Sequence, residues 1–162
     1  MALTTRYGRL TARPLTAAAF APFGHVTDAA GIDERVTLPG IANLRPAAPA
    51  RLGWFHAPAS RLPLTTNVME RHRFSSQGFV PEADARWLLL VAPHADGGGL
   101  DIAGAMAFVA TGRQAVTYAP DAWHHPLVAL DRPARFAVLT FLDGGAEDHE
   151  FVTLAGNLEI EL

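Results

Sequence analysis

The chain has 162 residues, 49% of them apolar and 18% charged, a globular composition long enough to bury a core without covalent staples. Thirteen basic residues against sixteen acidic ones leave a net charge of −3, which gives no electrostatic case for binding nucleic acid or an anionic membrane. There is no cysteine, so disulfides, thiolate catalysis and cysteine-bound zinc or iron–sulfur centres are excluded.

The length predicts one domain over residues 1–162. At the N-terminus, "MALTTRYGRLTARPLTAAAFAPFG" does not read as a secretory signal, because Arg6, Arg9 and Arg13 interrupt any apolar centre. Apolar runs of about 18 residues, the length of a membrane span, do not occur, so a soluble cytoplasmic protein is expected. "LTAAAFAPFG" (15–24) predicts a short helix, capped by Thr16 and ended by Pro22 and Gly24. Residues 31–66 are rich in Pro, Gly, Ala and Arg, and runs such as "RLGWFHAP" predict strands between irregular connections.

The second half is more regular. "RWLLLVAP" (86–93) is a continuous apolar run, suited to a strand buried on both faces. "ADGGGLD" (95–101) is a turn. "AMAFVATG" (105–112), "QAVTYAP" (114–120), "HPLVALD" (125–131), "RFAVLTFLDGG" (135–145) and "DHEFVTLAG" (148–156) follow as short strands. Many short strands with tight turns predict a closed or double-layered antiparallel β architecture.

Seven histidines without cysteine direct attention to nitrogen and oxygen chemistry. In "MERHRFSSQGFVP" (69–81), strand alternation puts Glu70 and His72 on one face and Arg71 and Arg73 on the other. Gln77 joins them only if "SSQG" bends. In "PDAWHHPL" (120–127), His124 and His125 are adjacent, so a strand would turn only one of them inward. Trp123 and Phe79 read as core or pocket wall, and His25, His56, His94 and His149 as structural or exposed.

These segments resemble the two motifs of cupin barrels, H-x-H-x(3,4)-E and P-x-G-x-x-H. Glu70, His72 and Gln77 stand at the ligand positions of the first, and Pro120, Ala122 and His125 at the positions of the second. "LPLTTNVMERH", "SQGFVP", "YAPDAWHHPL" and the opening "PLTAAAFAPFGHV" resemble the corresponding stretches of the ureidoglycolate lyases. That resemblance runs from about residue 14 to about residue 145. It implies a cupin-like β-barrel, usually a homodimer, that cleaves ureidoglycolate to urea and glyoxylate late in allantoin breakdown. The family is associated with a divalent metal, nickel among the candidates, for which Glu70, His72, Gln77 and His125 are the ligands expected here, a metal-free acid–base site being the alternative; the sequence has no Gly-rich nucleotide motif, so no nucleotide cofactor is expected.

On that reading Glu70, His72 and His125 are the catalytic groups. Arg35, Arg71, Gln77 and His124 are the substrate-binding ones, with Arg35 or Arg71 holding the substrate carboxylate. The chain departs from the family where an Asn and a His are expected, at Ala29 and Thr37, while Gly31 and Arg35 fit. Near the end, Leu142 and Asp143 replace the usual Asp-Arg before Gly-Gly. Two rivals follow from these departures: a cupin enzyme acting on another small carboxylate, and a non-catalytic cupin that binds a small molecule.

Overall fold

The computed structural model describes residues 5–29 and 35–162. Its strands in chain order are β1 (Thr5–Thr11), β2 (Arg13–Pro14), β3 (Gly24–Asp28), β4 (Ala50–Ala57), β5 (Ala59–Ser60), β6 (Leu64–Arg71) and β7 (Gln77–Pro81). Then come β8 (Trp87–Ala92), β9 (Met106–Ala110), β10 (Gln114–Tyr118), β11 (Trp123–His124), β12 (Val128–Leu130), β13 (Ala134–Phe141) and β14 (Glu150–Glu161). Helix α1 (Ala17–Phe20) is shorter than the segment predicted, and the Thr16 hydroxyl caps it, accepting from the Ala19 amide at 3.3 Å. None of the described helices is long and apolar enough to cross a membrane.

Two sheets face each other in a cupin-like double layer. The larger has nine strands, with β1, β14, β6, β11, β8, β12 and β5 in spatial order and β9 and β2 branching from β8. The smaller runs β3, β10, β7, β13, β4, all antiparallel. Among the described residues, parallel pairing is confined to β1 with β14, β5 with β12 and β2 with β9.

The apolar run in β8 explains the layering. Trp87, Leu89 and Val91 enter the core between the sheets, where they meet Phe20, Phe79, Phe108 and Phe136. Leu88, Leu90 and Ala92 point the other way, into a second core with Met69, Trp123 and Ile160. A strand buried on both faces is therefore apolar throughout. Each such leucine stabilises the fold by about 1.5–3 kcal/mol relative to exposure. After α1 the chain enters β3 through Gly24, at φ +152°, which lies so close to the Thr117 carbonyl that no Cβ fits. Inside the triple-glycine turn, Gly97 and Gly98 both adopt positive φ.

Candidate active site

The site lies between the sheets, where β6 and β11 of one approach β7 and β10 of the other. On the larger sheet, Glu70 pairs directly with His124 across the antiparallel β6–β11 ladder. Residues opposite each other in such a ladder share a face, so both side chains enter the same space. On the smaller sheet, Gln77 is paired with Tyr118. His72 follows the end of β6 and lies beneath the 142–149 connection.

His124 is the hub. Its Nδ1–H donates to the Ala122 carbonyl at 2.9 Å. Its Nε2 lies 3.0 Å from Gln77 Oε1 and 3.3 Å from Glu70 Oε1. The Tyr118 ring stacks on the imidazole at 4.2 Å and 15°. All the hydrogen-bonding partners are oxygens, acceptors that a ring N–H can meet, and the Glu70 carboxylate is one of them. His72 donates through Nδ1 to the Asp148 carbonyl at 2.9 Å, and its buried Nε2 has no hydrogen-bond partner among the described residues. The His72 and His124 ring centroids are 5.5 Å apart, and His149 packs edge-on against His72 at 4.7 Å.

Burial and charge work against each other here. Burial pushes the Glu70 carboxyl up, but the hydrogen bond from His124 and the neighbouring imidazoles bring it net below the ordinary carboxylate value. Burial pushes His72 down, and the neighbouring His124 adds to that, so His72 lies below the ordinary imidazole value. Burial likewise raises the Tyr118 hydroxyl.

A salt-bridged clamp holds His72 from behind. Asp148 is buried and pairs with Arg45, which also reaches Asp143 at 3.1 Å. The Gly144 and Asp143 amides donate to the same carboxylate at 2.7 and 3.3 Å. Against the upward push of burial, Arg45 and these amides hold Asp148 at about 2. The clamp fixes the backbone whose carbonyl orients His72.

Ligand-capable atoms of Glu70, His72 and His124 all lie within 4.8 Å of one another. Each histidine tethers its Nδ1 to a backbone carbonyl, the support that metal-ligating imidazoles have. With the unpartnered Nε2 of His72 and the oxygens of Glu70 and Gln77, this donor set fits a divalent first-row ion. A cavity of roughly 430 Å³ opens outward from Glu70 and Gln77, walled by Phe55, Phe79, Leu127, Val138 and Phe151.

Of the residues singled out in the sequence, Glu70, His72, Gln77 and His124 come together, while His125 is occupied elsewhere. Its Nδ1–H donates to the Pro126 carbonyl at 2.7 Å, and its Nε2 meets the Thr66 hydroxyl at 2.8 Å. The reason is register: the short β11 strand sets His124, and not the next residue, opposite Glu70. Burial pushes His125 below its ordinary value. Arg71 pairs with Glu150 and Asp121 and lies over the Trp123 ring at 4.3 Å, and Arg35 is exposed. Neither guanidinium lines the cavity. Phe79 forms part of the pocket wall, whereas Trp123 belongs to the second core. Gly31 lies outside the described residues. Tyr118 and Asp148 carry no sequence signal as site residues, and His149 is exposed, as expected. "YAPDAWHHPL" contains the tyrosine, but nothing local shows that it will stack on a histidine.

The ureidoglycolate lyase family profile matches residues 7–161. The chain is 36% identical to the ureidoglycolate lyase of Pseudomonas fluorescens (strain Pf0-1) over 141 residues, 80% of this chain and 83% of that one. It is 35% identical to that of Pseudomonas syringae pv. tomato (strain ATCC BAA-871 / DC3000) over 154 residues, 88% and 89% of the two chains. Among solved structures, a dTDP sugar isomerase from Desulfovibrio desulfuricans G20 superposes with a TM-score of 0.50 at 14% identity. The match covers 81% of this chain and 85% of that one, a likeness of fold.

Proposed function

The chain belongs to the ureidoglycolate lyase family and is a carbon–nitrogen lyase of that type, and from there we propose that Glu70, His72, Gln77 and His124 carry its chemistry. The substrate is a carbinolamide whose central carbon bears a hydroxyl, a carboxylate and a ureido nitrogen. The Glu70 carboxylate takes the hydroxyl proton, and the freed electron pair forms the carbonyl of glyoxylate. The carbon–nitrogen bond breaks, and His124 gives its Nε2 proton to the departing nitrogen, releasing urea. Glu70 and His124 are 3.3 Å apart, so the proton taken by one can return to the other and close the cycle. Gln77 aligns the imidazole, and Tyr118 holds its plane. The reaction stands late in allantoin breakdown.

A divalent ion would be held by Glu70, His72 and His124, with the Gln77 oxygen beside them, in a form whose His124 Nε2 carries no proton, so the proton relay above belongs to the metal-free protein. When bound, it supplies Lewis-acid polarisation of substrate oxygens. Metal analysis of protein purified without an affinity tag tests this: bound ion in the native protein and its loss in His72→Ala support the ligand set.

We place the enzyme in the cytoplasm as a homodimer. Supporting the dimer, β4 is an edge strand exposed from Ala50 to His56, carrying Leu52, Trp54 and Phe55 and leaving one backbone edge unpaired among the described residues. Light scattering gives the subunit count.

The single observation that carries the chemical reading is the buried hydrogen-bonded contact of Glu70, Gln77 and His124 at the inner end of an open cavity. Urea release from ureidoglycolate by the native protein, and its loss in His124→Ala, tests the assignment. A His124→Ala variant that folds and keeps full activity would overturn it.

A further inference from the structure

We propose that Arg51, a residue no motif singles out, is the group that binds the substrate carboxylate. This rests on the lyase reading above and names the anchor of that same site.

Register places the side chain. On β4, Arg51, Gly53 and Phe55 pair with Thr140, Val138 and Phe136 of β13. Phe136 is fully buried in the core between the sheets, so this set of alternating positions faces inward. Leu52, Trp54 and His56 take the opposite face. Leu139 of β13 pairs with Gly78 of β7, so the next residues out, Thr140 and Gln77, are neighbours. Gln77, Thr140 and Arg51 thus form one row across the cavity face of the smaller sheet. Two strand spacings, about 9–10 Å, separate the Gln77 and Arg51 backbones, within reach of an arginine side chain. Gly53 beside Arg51 has nothing within 4 Å of where a Cβ would stand, which leaves room for a ligand.

Charge then assigns the role. Among the described residues lining the cavity, Arg51 is the sole lysine or arginine. Its Nε–H donates to the Leu142 carbonyl at 3.3 Å, which orients the guanidinium. Among the described residues it has no ion-pair partner. The other guanidinium groups nearby are engaged, Arg71 with Glu150 and Asp121 and Arg45 with Asp148 and Asp143. At the inner end, Glu70 is an anion that repels a carboxylate brought beside it. A substrate that sets its hydroxyl at Glu70 and its ureido nitrogen at His124 therefore turns its carboxylate toward the Thr140–Arg51 side. A planar carboxylate there accepts two parallel bonds from the guanidinium.

The test compares native protein, Arg51→Gln and Arg51→Lys, each checked for an unchanged melting temperature; Arg135→Gln, on the outward face, serves as a surface control. Steady-state urea release should show KM raised about 10–100-fold in Arg51→Gln, with kcat changed by less than about threefold, as loss of uniform binding requires. Arg51→Lys should fall between, because it keeps the charge and loses the paired geometry. Calorimetric titration with glyoxylate should show the same loss, while inhibition by urea, which has no carboxylate, should stay equal in all variants. An unchanged KM in Arg51→Gln overturns the proposal and leaves the lyase reading standing; equal weakening toward urea and glyoxylate overturns it as a merely structural effect. If the native protein releases no urea from ureidoglycolate, the lyase reading fails, and glyoxylate titration alone judges Arg51. Binding lost in Arg51→Gln then sustains the anchor, and equal binding, or none to the native protein, overturns it.

Discussion

The inner end of the cavity and its mouth are built on opposite terms. At the inner end, Glu70, His72 and His124 are all nearly buried, and carbonyls, an amide and a stacked tyrosine set their orientation. At the mouth, Phe55 is 45% and Phe151 58% exposed, so little but solvent constrains them. The contrast separates two tasks. Groups whose charge must be ready before the substrate arrives are held in a dry, rigid frame, where fixed dipoles count for most. Groups that only bind and exclude water can stand on an open edge. Substitutions at the inner end should therefore act on kcat, and those at the mouth on KM or assembly.

The largest effect is expected at Glu70. Glu70→Gln keeps the shape and removes the base, so kcat for urea release should fall by about 10²–10⁴-fold. A loss below tenfold would erase the distinction between the two ends. Next comes the adjacent pair. His124→Ala should cost at least about 10²-fold in kcat, whereas His125→Ala, which removes a contact to Thr66, should cost about tenfold or less. Equal losses in the two variants would show that register does not separate their roles.

A smaller effect is expected from the clamp behind His72. Arg45→Ala should lower kcat about tenfold by loosening the Asp148 carbonyl, with KM little changed. It should also alter acid stability. Asp148 is held at about 2 against an ordinary 3.8, so its contribution to stability is complete above the ordinary value and is lost as pH falls from about 4 to about 2. Removing Arg45 returns the carboxyl toward its ordinary value, so acid unfolding followed by circular dichroism should begin at higher pH. The smallest effect on turnover belongs to the outer face of the edge strand. Leu52→Ser with Trp54→Ser should leave kcat within about twofold and shift a dimer toward monomer in light scattering.

Much of this was legible from local chemistry. The continuous apolar run in "RWLLLVAP" announced a strand buried on both faces, and the strand at Trp87–Ala92 feeds two cores. Thr16 announced its cap. Glu70, His72 and Gln77 were marked by residue type and by resemblance to a known pattern. Of the two arginines expected as anchors, Arg35 fits a segment of the family and Arg71 stands inside the Glu-Arg-His triplet. Nearness along the chain says nothing about ion pairs formed with Glu150 and Asp121, dozens of residues away. Arg51 stands in no motif, and its cavity is assembled by strands distant from it in sequence.

By itself the sequence determined which residue types alternate along each strand, hence the β architecture, the family and the chemical vocabulary of the site. Only the tertiary structure decided that His124 and not His125 faces Glu70, and that Arg51 shares a row with Gln77. Alternation along a strand divides side chains into two sets but does not say which set faces in. That is settled by register with a strand brought from elsewhere in the chain, through hydrogen bonds and packing that no local pattern encodes.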